Sequence, residues 1–180
     1  MAGTLTSGIG KRTLLAEMLN RGYSMLADDV TAVVLDENER PIVLPAFPRT
    51  KLWADAVQQL GHNKEALDRV RPAQEKYELK VPDKACQRSL PLRHVYQLTT
   101  TNKDELQLEA VENLWRFAVL RNNTYRVQFL DGLELRPHHF KIVSAAASQI
   151  PVTRVVRPSA PNRLNELADM IEQDFRREDN

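Results

Sequence analysis

One cysteine, Cys86, is all that this sequence of 180 residues contains. It can form no internal disulfide and cannot by itself build a thiolate metal site, and so sparing a use of thiols is expected in a reducing compartment. No apolar run reaches about 18 residues, the length needed to cross a bilayer, and the first residues lack the charged-then-apolar pattern of a secretory signal. Charge of one sign is also missing. Lys and Arg number 25 against 24 Asp and Glu, a formal balance of +1, so neither nucleic acid nor an anionic membrane is an expected partner. No internal repeat or low-complexity tract interrupts the chain. These absences together predict a cytoplasmic protein.

What is present is the balance of a globular chain, with 42% hydrophobic and 27% charged residues, enough for a single domain with one core of ordinary size. Leu14, Leu15, Met18 and Leu19 recur at three- and four-residue spacing and predict a helix over residues 11–21, ended by Gly22. Strands are expected over 23–27, 31–35 and 42–44, the last two forming a hairpin around "DENER". A short helix is expected over 52–60, closed by Gly61, with another turn or two in "NKEALDRV". The charged stretch 71–88, broken by Pro72 and Pro82, reads as a surface excursion with one strand at 77–81. Further on, strands are expected at 93–98, 106–108 and 152–156. Helices are expected at 111–120, 125–130, 137–150 and 162–177, the last with Leu164, Leu167, Ile171 and Phe175 on its inner face. Interleaved helix and strand predict a mixed α/β or α+β class. Residues 1–60, 61–90 and 91–180 are read as successive parts of that one domain.

The chemistry begins in "TSGIGKRT". Gly10-Lys11 supplies the centre of the phosphate-loop pattern G-x-x-x-x-G-K-[ST], in which backbone N–H groups, a helix N-terminus and a lysine surround phosphate. Ser7, Gly8, Ile9, Gly10 and Lys11 are suited to build such a nest. Two positions depart from the pattern: Leu5 replaces the first glycine and Arg12 the metal-binding hydroxyl. A glycine-rich turn at a helix start is the plain alternative.

Asp28 and Asp29 follow an apolar stretch, 17 positions after Lys11, which leaves room for one helix and a return turn. Two carboxylates near a phosphate loop can hold Mg²⁺ or take a proton from an attacking hydroxyl. An Asp pair also ends strands and caps turns; after a phosphate loop at this spacing the functional reading is preferred.

"SGIGKRTLLAEMLNRGYSMLADDVTAV" resembles the start of the catalytic domain of HPr serine kinase/phosphorylase, and more closely its shorter bacterial relatives. "LPAFPRTKLW", "LPLRHVYQL", "RNNTYR" and "HHFKIVSAAASQIPVTRVVRP" are similar to the way those chains continue. The resemblance implies a phosphoenolpyruvate carboxykinase-like P-loop fold with a mixed sheet and flanking helices. It also implies ATP and Mg²⁺ as cofactors, transfer of phosphate to a hydroxyl-bearing protein or peptide, and assembly into a homo-oligomer. Ser7, Gly8, Ile9, Gly10, Lys11, Arg12 and Thr13 would then bind the nucleotide, with Lys11 neutralising the phosphates as a catalytic residue, Asp28 as the base and Asp29 assisting with metal or water.

Against that pattern, Arg12 puts a cation where the magnesium ligand belongs. Thr13 cannot replace it, because one helical step turns a side chain by about 100°. Arg12 can neutralise phosphate without metal, or it can end metal-dependent catalysis, leaving a non-catalytic nucleotide-binding or interaction module. The strand that should precede the loop is not found in residues 1–4, so the chain is expected to be shortened there, with 23–27 as an exposed edge. The arginine- and glycine-rich run that marks true HPr kinases has no counterpart. Arg49 is the nearest candidate for a second phosphate contact, although a solvated arginine is the commoner case. Adjacent His138 and His139 diverge on a helix and are not expected to hold metal. Cys86 is expected to be a bystander, Trp115 and Phe117 to be core residues, and Arg154, Arg157, Arg163, Arg176 and Arg177 to form a solvated face.

Overall fold

The computed structural model describes residues 2–3, 10–46, 49–53, 68–71, 74–80, 84–160 and 163–178. In chain order these form β1 (Ala2–Gly3), α1 (Lys11–Asn20), β2 (Thr31–Leu35), β3 (Pro41–Val43), β4 (Arg49–Trp53), β5 (Asp68–Arg71), β6 (Gln74–Lys80), β7 (Leu90–Pro91), β8 (Val95–Thr101) and β9 (Gln107–Ala110). Then come α2 (Leu114–Asn122), α3 (Arg136–Gln149), β10 (Val152–Pro158) and α4 (Leu164–Glu178). The class is mixed α and β, as the interleaved pattern predicts.

The strands make three sheets, ordered β1-β2-β3-β7, β8-β10-β9 and β4-β6-β5. β10 is the axis of the second. It pairs parallel to β8, Val155 opposite Leu98, and antiparallel to β9, Val155 opposite Leu108. A strand covered on both faces should be apolar throughout, and Val152, Val155 and Pro158 are fully enclosed. On one face Leu98 and Val155 pack with Leu167 and Ile171 of α4, joined by Leu14 of α1 and by Phe175. On the other, Val95 meets Leu120, Val143 and Ala146 of α2 and α3. α3 also supports the first sheet, where Ile142 packs against Val33 and Val43. The first two sheets therefore rest on one shared helical floor.

α1 ends where glycine permits it. Gly22 has φ +96°; its N–H donates to the Leu19 carbonyl and that of Tyr23 to the Met18 carbonyl, each at 3.1 Å. This pair of bonds closes a helix through a left-handed residue, which glycine adopts without penalty.

Several expectations are corrected. Residues 23–27 do not form a strand. Met25 makes one isolated parallel bridge to Ala85, while the Leu26 carbonyl accepts from the N–H of Ala46. The segment is thus divided between two neighbours rather than laid along one. Leu52 and Trp53, expected in a helix, belong to β4, which pairs with β6; the rest of the expected 52–60 helix lies outside the described residues. The expected strand at 77–81 is found as β6, with Tyr77 buried. The strands expected at 93–98 and 106–108 are found as β8 and β9, with β10 between them. The helix expected from residue 111 starts at Leu114, and 125–130 yields only one 3₁₀ turn, Val127–Phe129. Trp115 is not a core residue: it is 72% exposed beside the 85% exposed Leu114. Only Leu120 of α2 is buried, so this helix carries more apolar surface than its partners cover.

Candidate functional site

Gly10 opens the site. Its left-handed conformation, φ +86° and ψ 12°, turns the chain into α1, and its carbonyl accepts the first helical bond from the Leu14 N–H at 3.0 Å. A Cβ on Gly10 would stand 3.0 Å from Nη2 of Arg157. Glycine is therefore favoured for its φ, and a side chain there would also press on the end of the Arg157 side chain. Gly10→Ala is expected to cost about 1–3 kcal/mol, a fall in Tm of about 3–8 °C for a chain of this size, measurable by thermal denaturation.

The close approach places α1's N-terminus over the C-terminal end of β10, beside that of its parallel neighbour β8. In α/β sheets this is where ligands gather, and helix-terminal N–H groups favour an anion there. Arg157 is a correction to the expected solvated face. Residues 153, 155 and 157 share one side of β10, and Val155 on that side is core, so Arg157 is carried up against Gly10. Burial lowers its pKa from the usual arginine value. The sequence signal was a β-branched strand, "VTRVVRP", ending in Arg-Pro.

Lys11 is the first residue of α1. Burial, then the neighbouring Arg12 charge, pull its pKa below the ordinary lysine value, opposed by Asp29 and Asp28. Arg12 reaches the acidic pair itself. Its Nε donates to Asp28 Oδ2 at 3.4 Å, and its Nη2 bonds both carboxylate oxygens of Asp29. Asp28 is only 12% exposed and Asp29 55%. A helix of three turns and the return through 23–27 bring the two aspartates back to α1's first turn, as the spacing predicts.

Lys11, Arg12 and Arg157 thus share one end of the sheet with Asp28 and Asp29. Magnesium does not fit this arrangement, because the guanidinium of Arg12 already occupies the face of both carboxylates. Thr13 is half-buried on α1. Ser7, Gly8 and Ile9 lie outside the described residues, as does the side chain of Arg49. Among the described residues no group of three or more His, Cys, Asp or Glu is placed to hold a metal ion.

The other candidates have structural partners. His139 Nε2 lies 2.8 Å from the Thr124 hydroxyl, tying α3 to the end of α2, and burial lowers its pKa. Cys86 Sγ donates weakly to the Arg88 carbonyl at 3.5 Å. Arg154 pairs with Glu109, Arg163 with Asp104 and Glu166, and Arg176 with Glu172.

No protein-family model matches this chain, and no curated protein and no solved structure matches it either.

Proposed function

We propose that the chain is a nucleotide-binding domain of the HPr serine kinase type that receives ATP phosphates at the N-terminus of α1 without a divalent cation. The observation that carries this reading is the contact of Arg12 with both Asp28 and Asp29. A guanidinium stands where such a site would keep its metal, and its planar fork suits phosphate oxygens as well as carboxylates. Gly10 permits the turn, Lys11 and Arg157 add charge, and Arg12 neutralises the aspartates that would otherwise repel the ligand.

A second reading is transfer of phosphate to a hydroxyl acceptor of a protein or peptide, favoured by the nearly enclosed carboxylate of Asp28. In it the acceptor oxygen bonds to the γ-phosphorus as the bond to the bridging oxygen breaks. ADP leaves with that electron pair, and Asp28 takes the hydroxyl proton.

Calorimetric titration with ATP, in EDTA and in Mg²⁺, separates the readings. Binding in EDTA is expected, weakened about tenfold in Lys11→Ala, the value of one lost charge-assisted contact. Because the Lys11 pKa is lowered, affinity should fall as pH rises, beginning below the pH at which an ordinary lysine loses its proton. Absence of binding in both media would overturn the proposal. Binding only with Mg²⁺ would remove the metal-free account, and phosphate appearing on a serine peptide would establish transfer.

A further inference from the structure

Among the described residues nine large apolar side chains are exposed, and eight of them lie between Leu114 and Phe140. Leu114, Trp115, Phe129, Leu133 and Phe140 are each more than half exposed. Taken at about 200 Å² for a whole large side chain, the exposed parts of the eight come to roughly 900 Å². The largest apolar patch of an ordinary monomer is about 300–600 Å², and each side of a stable protein complex gives up about 800 Å². This surface therefore has the area of an interface.

Contacts join its members. Leu114, Phe117 and Arg121 stand at i, i+3 and i+7 on one face of α2, and the Phe117 ring lies 5.5 Å from that of Phe140 on α3. Arg136, one turn before Phe140, bonds Asp131, and the Leu133 N–H donates to the Phe129 carbonyl at 3.2 Å. The guanidinium of Arg126 lies 5.1 Å from the centre of the Tyr125 ring and 5.7 Å from that of Phe129. The two helices and the turn between them thus form one connected surface, on the side of the second sheet away from α1 and α4.

Its charges point to the occupant. Arg126 and Glu134 are exposed, and among the described residues neither has an ion-pair partner. A bilayer surface would favour basic residues around the apolar ones, yet Glu112, Asp131 and Glu134 stand among them. Both signs suit a surface that meets itself, and a net charge of +1 adds little repulsion between copies. In a twofold pairing, a residue i that meets j is matched by j meeting i, so a contact between Arg126 and Glu134 would form twice.

We propose that this surface is a homodimer interface. Two copies of the chain pack about a twofold axis through α2, the turn after it and the start of α3. Trp115 and Phe140 are the anchors, and Arg126 of each copy pairs with Glu134 of the other. Aromatic and arginine side chains carry most of the binding energy in such interfaces. The sequence resemblance implies an oligomer without a surface for it, whereas this one is read from exposure and charge alone, independently of the nucleotide reading.

Sedimentation equilibrium of the purified chain is expected to give a dimer. Trp115→Asp and Phe140→Asp, both at exposed positions, should each raise the dimer Kd at least about 30-fold, the effect of removing one anchor, with the circular dichroism of the parent retained. Arg126→Glu and Glu134→Arg should each weaken the dimer about tenfold, and the two together should bring Kd back to within about threefold of the parent. A chain that stays monomeric at on the order of 100 µM, or a dimer that both aspartate variants leave intact, would overturn the proposal. No recovery in the double variant would overturn the twofold pairing. Binding of a monomer to phosphatidylserine vesicles, lost in the aspartate variants, would make a bilayer the occupant and overturn the dimer.

Discussion

Arg12→Ser is expected to make nucleotide binding depend on magnesium. In EDTA the variant loses the guanidinium that bonds both Asp28 and Asp29, so two carboxylates, one nearly enclosed, confront the phosphates with less positive charge beside them. Affinity for ATP should fall about 100-fold, more than for Lys11→Ala, because repulsion is added to the lost attraction. Stability should fall as well. Removing one partner of a buried pair costs about 3–5 kcal/mol, and the exposure of Asp29 reduces this toward about 1–2 kcal/mol, or a drop in Tm of roughly 3–6 °C. Mg²⁺ should reverse both losses, since serine restores a hydroxyl and vacates the carboxylates for a hard cation. Titration and melting in EDTA and in millimolar Mg²⁺ make the measurement; a variant insensitive to Mg²⁺ would show that the acidic pair is not a metal site in disguise.

Leu167→Ala is expected to be the most destabilising of these changes. Leu167 is 3% exposed and packs on Leu98, Val155 and Ile171, the contact that seats α4 on the central sheet. Truncating such a leucine costs about 2–5 kcal/mol, which at this chain length lowers Tm by about 6–15 °C. The same helix holds α1. Arg21 donates to Asp169 at 2.6 Å and to the Asn165 carbonyl at 3.2 Å, and Tyr23 meets Phe175 edge to face. These contacts hold the far end of α1 from Gly10, whereas Leu167 itself borders Arg157 and its cluster takes in Leu14 near the start of α1. Well below its melting point the variant should therefore also bind ATP more weakly. Unchanged affinity in the folded variant would show that the phosphate end does not depend on α4.

The parts of the fold legible in the sequence are those with a local cause. α1, α3 and α4 follow from apolar spacing, and the end of α1 from Gly22. The β2–β3 hairpin follows from its polar turn, where Asp36 accepts the N–H groups of Asn38 and Arg40 and the Arg40 guanidinium. β4 was missed because "KLW" runs into an amphipathic stretch, and only pairing with β6 makes it extended. Trp115 was misplaced because apolar spacing shows which residues could be buried, without showing how much partner surface exists.

For the site, the sequence by itself determined the ingredients: a glycine at a helix start, Lys11 and Arg12 after it, and an aspartate pair one helix and one return later. Only the tertiary structure decided that Arg12 spans that pair and that Arg157, 147 positions after Gly10, lies against it. Helical spacing is written in neighbouring residues and can be read from them. Which cation faces which carboxylate depends on how α1 is laid across the end of a sheet whose central strand, β10, comes late in the chain.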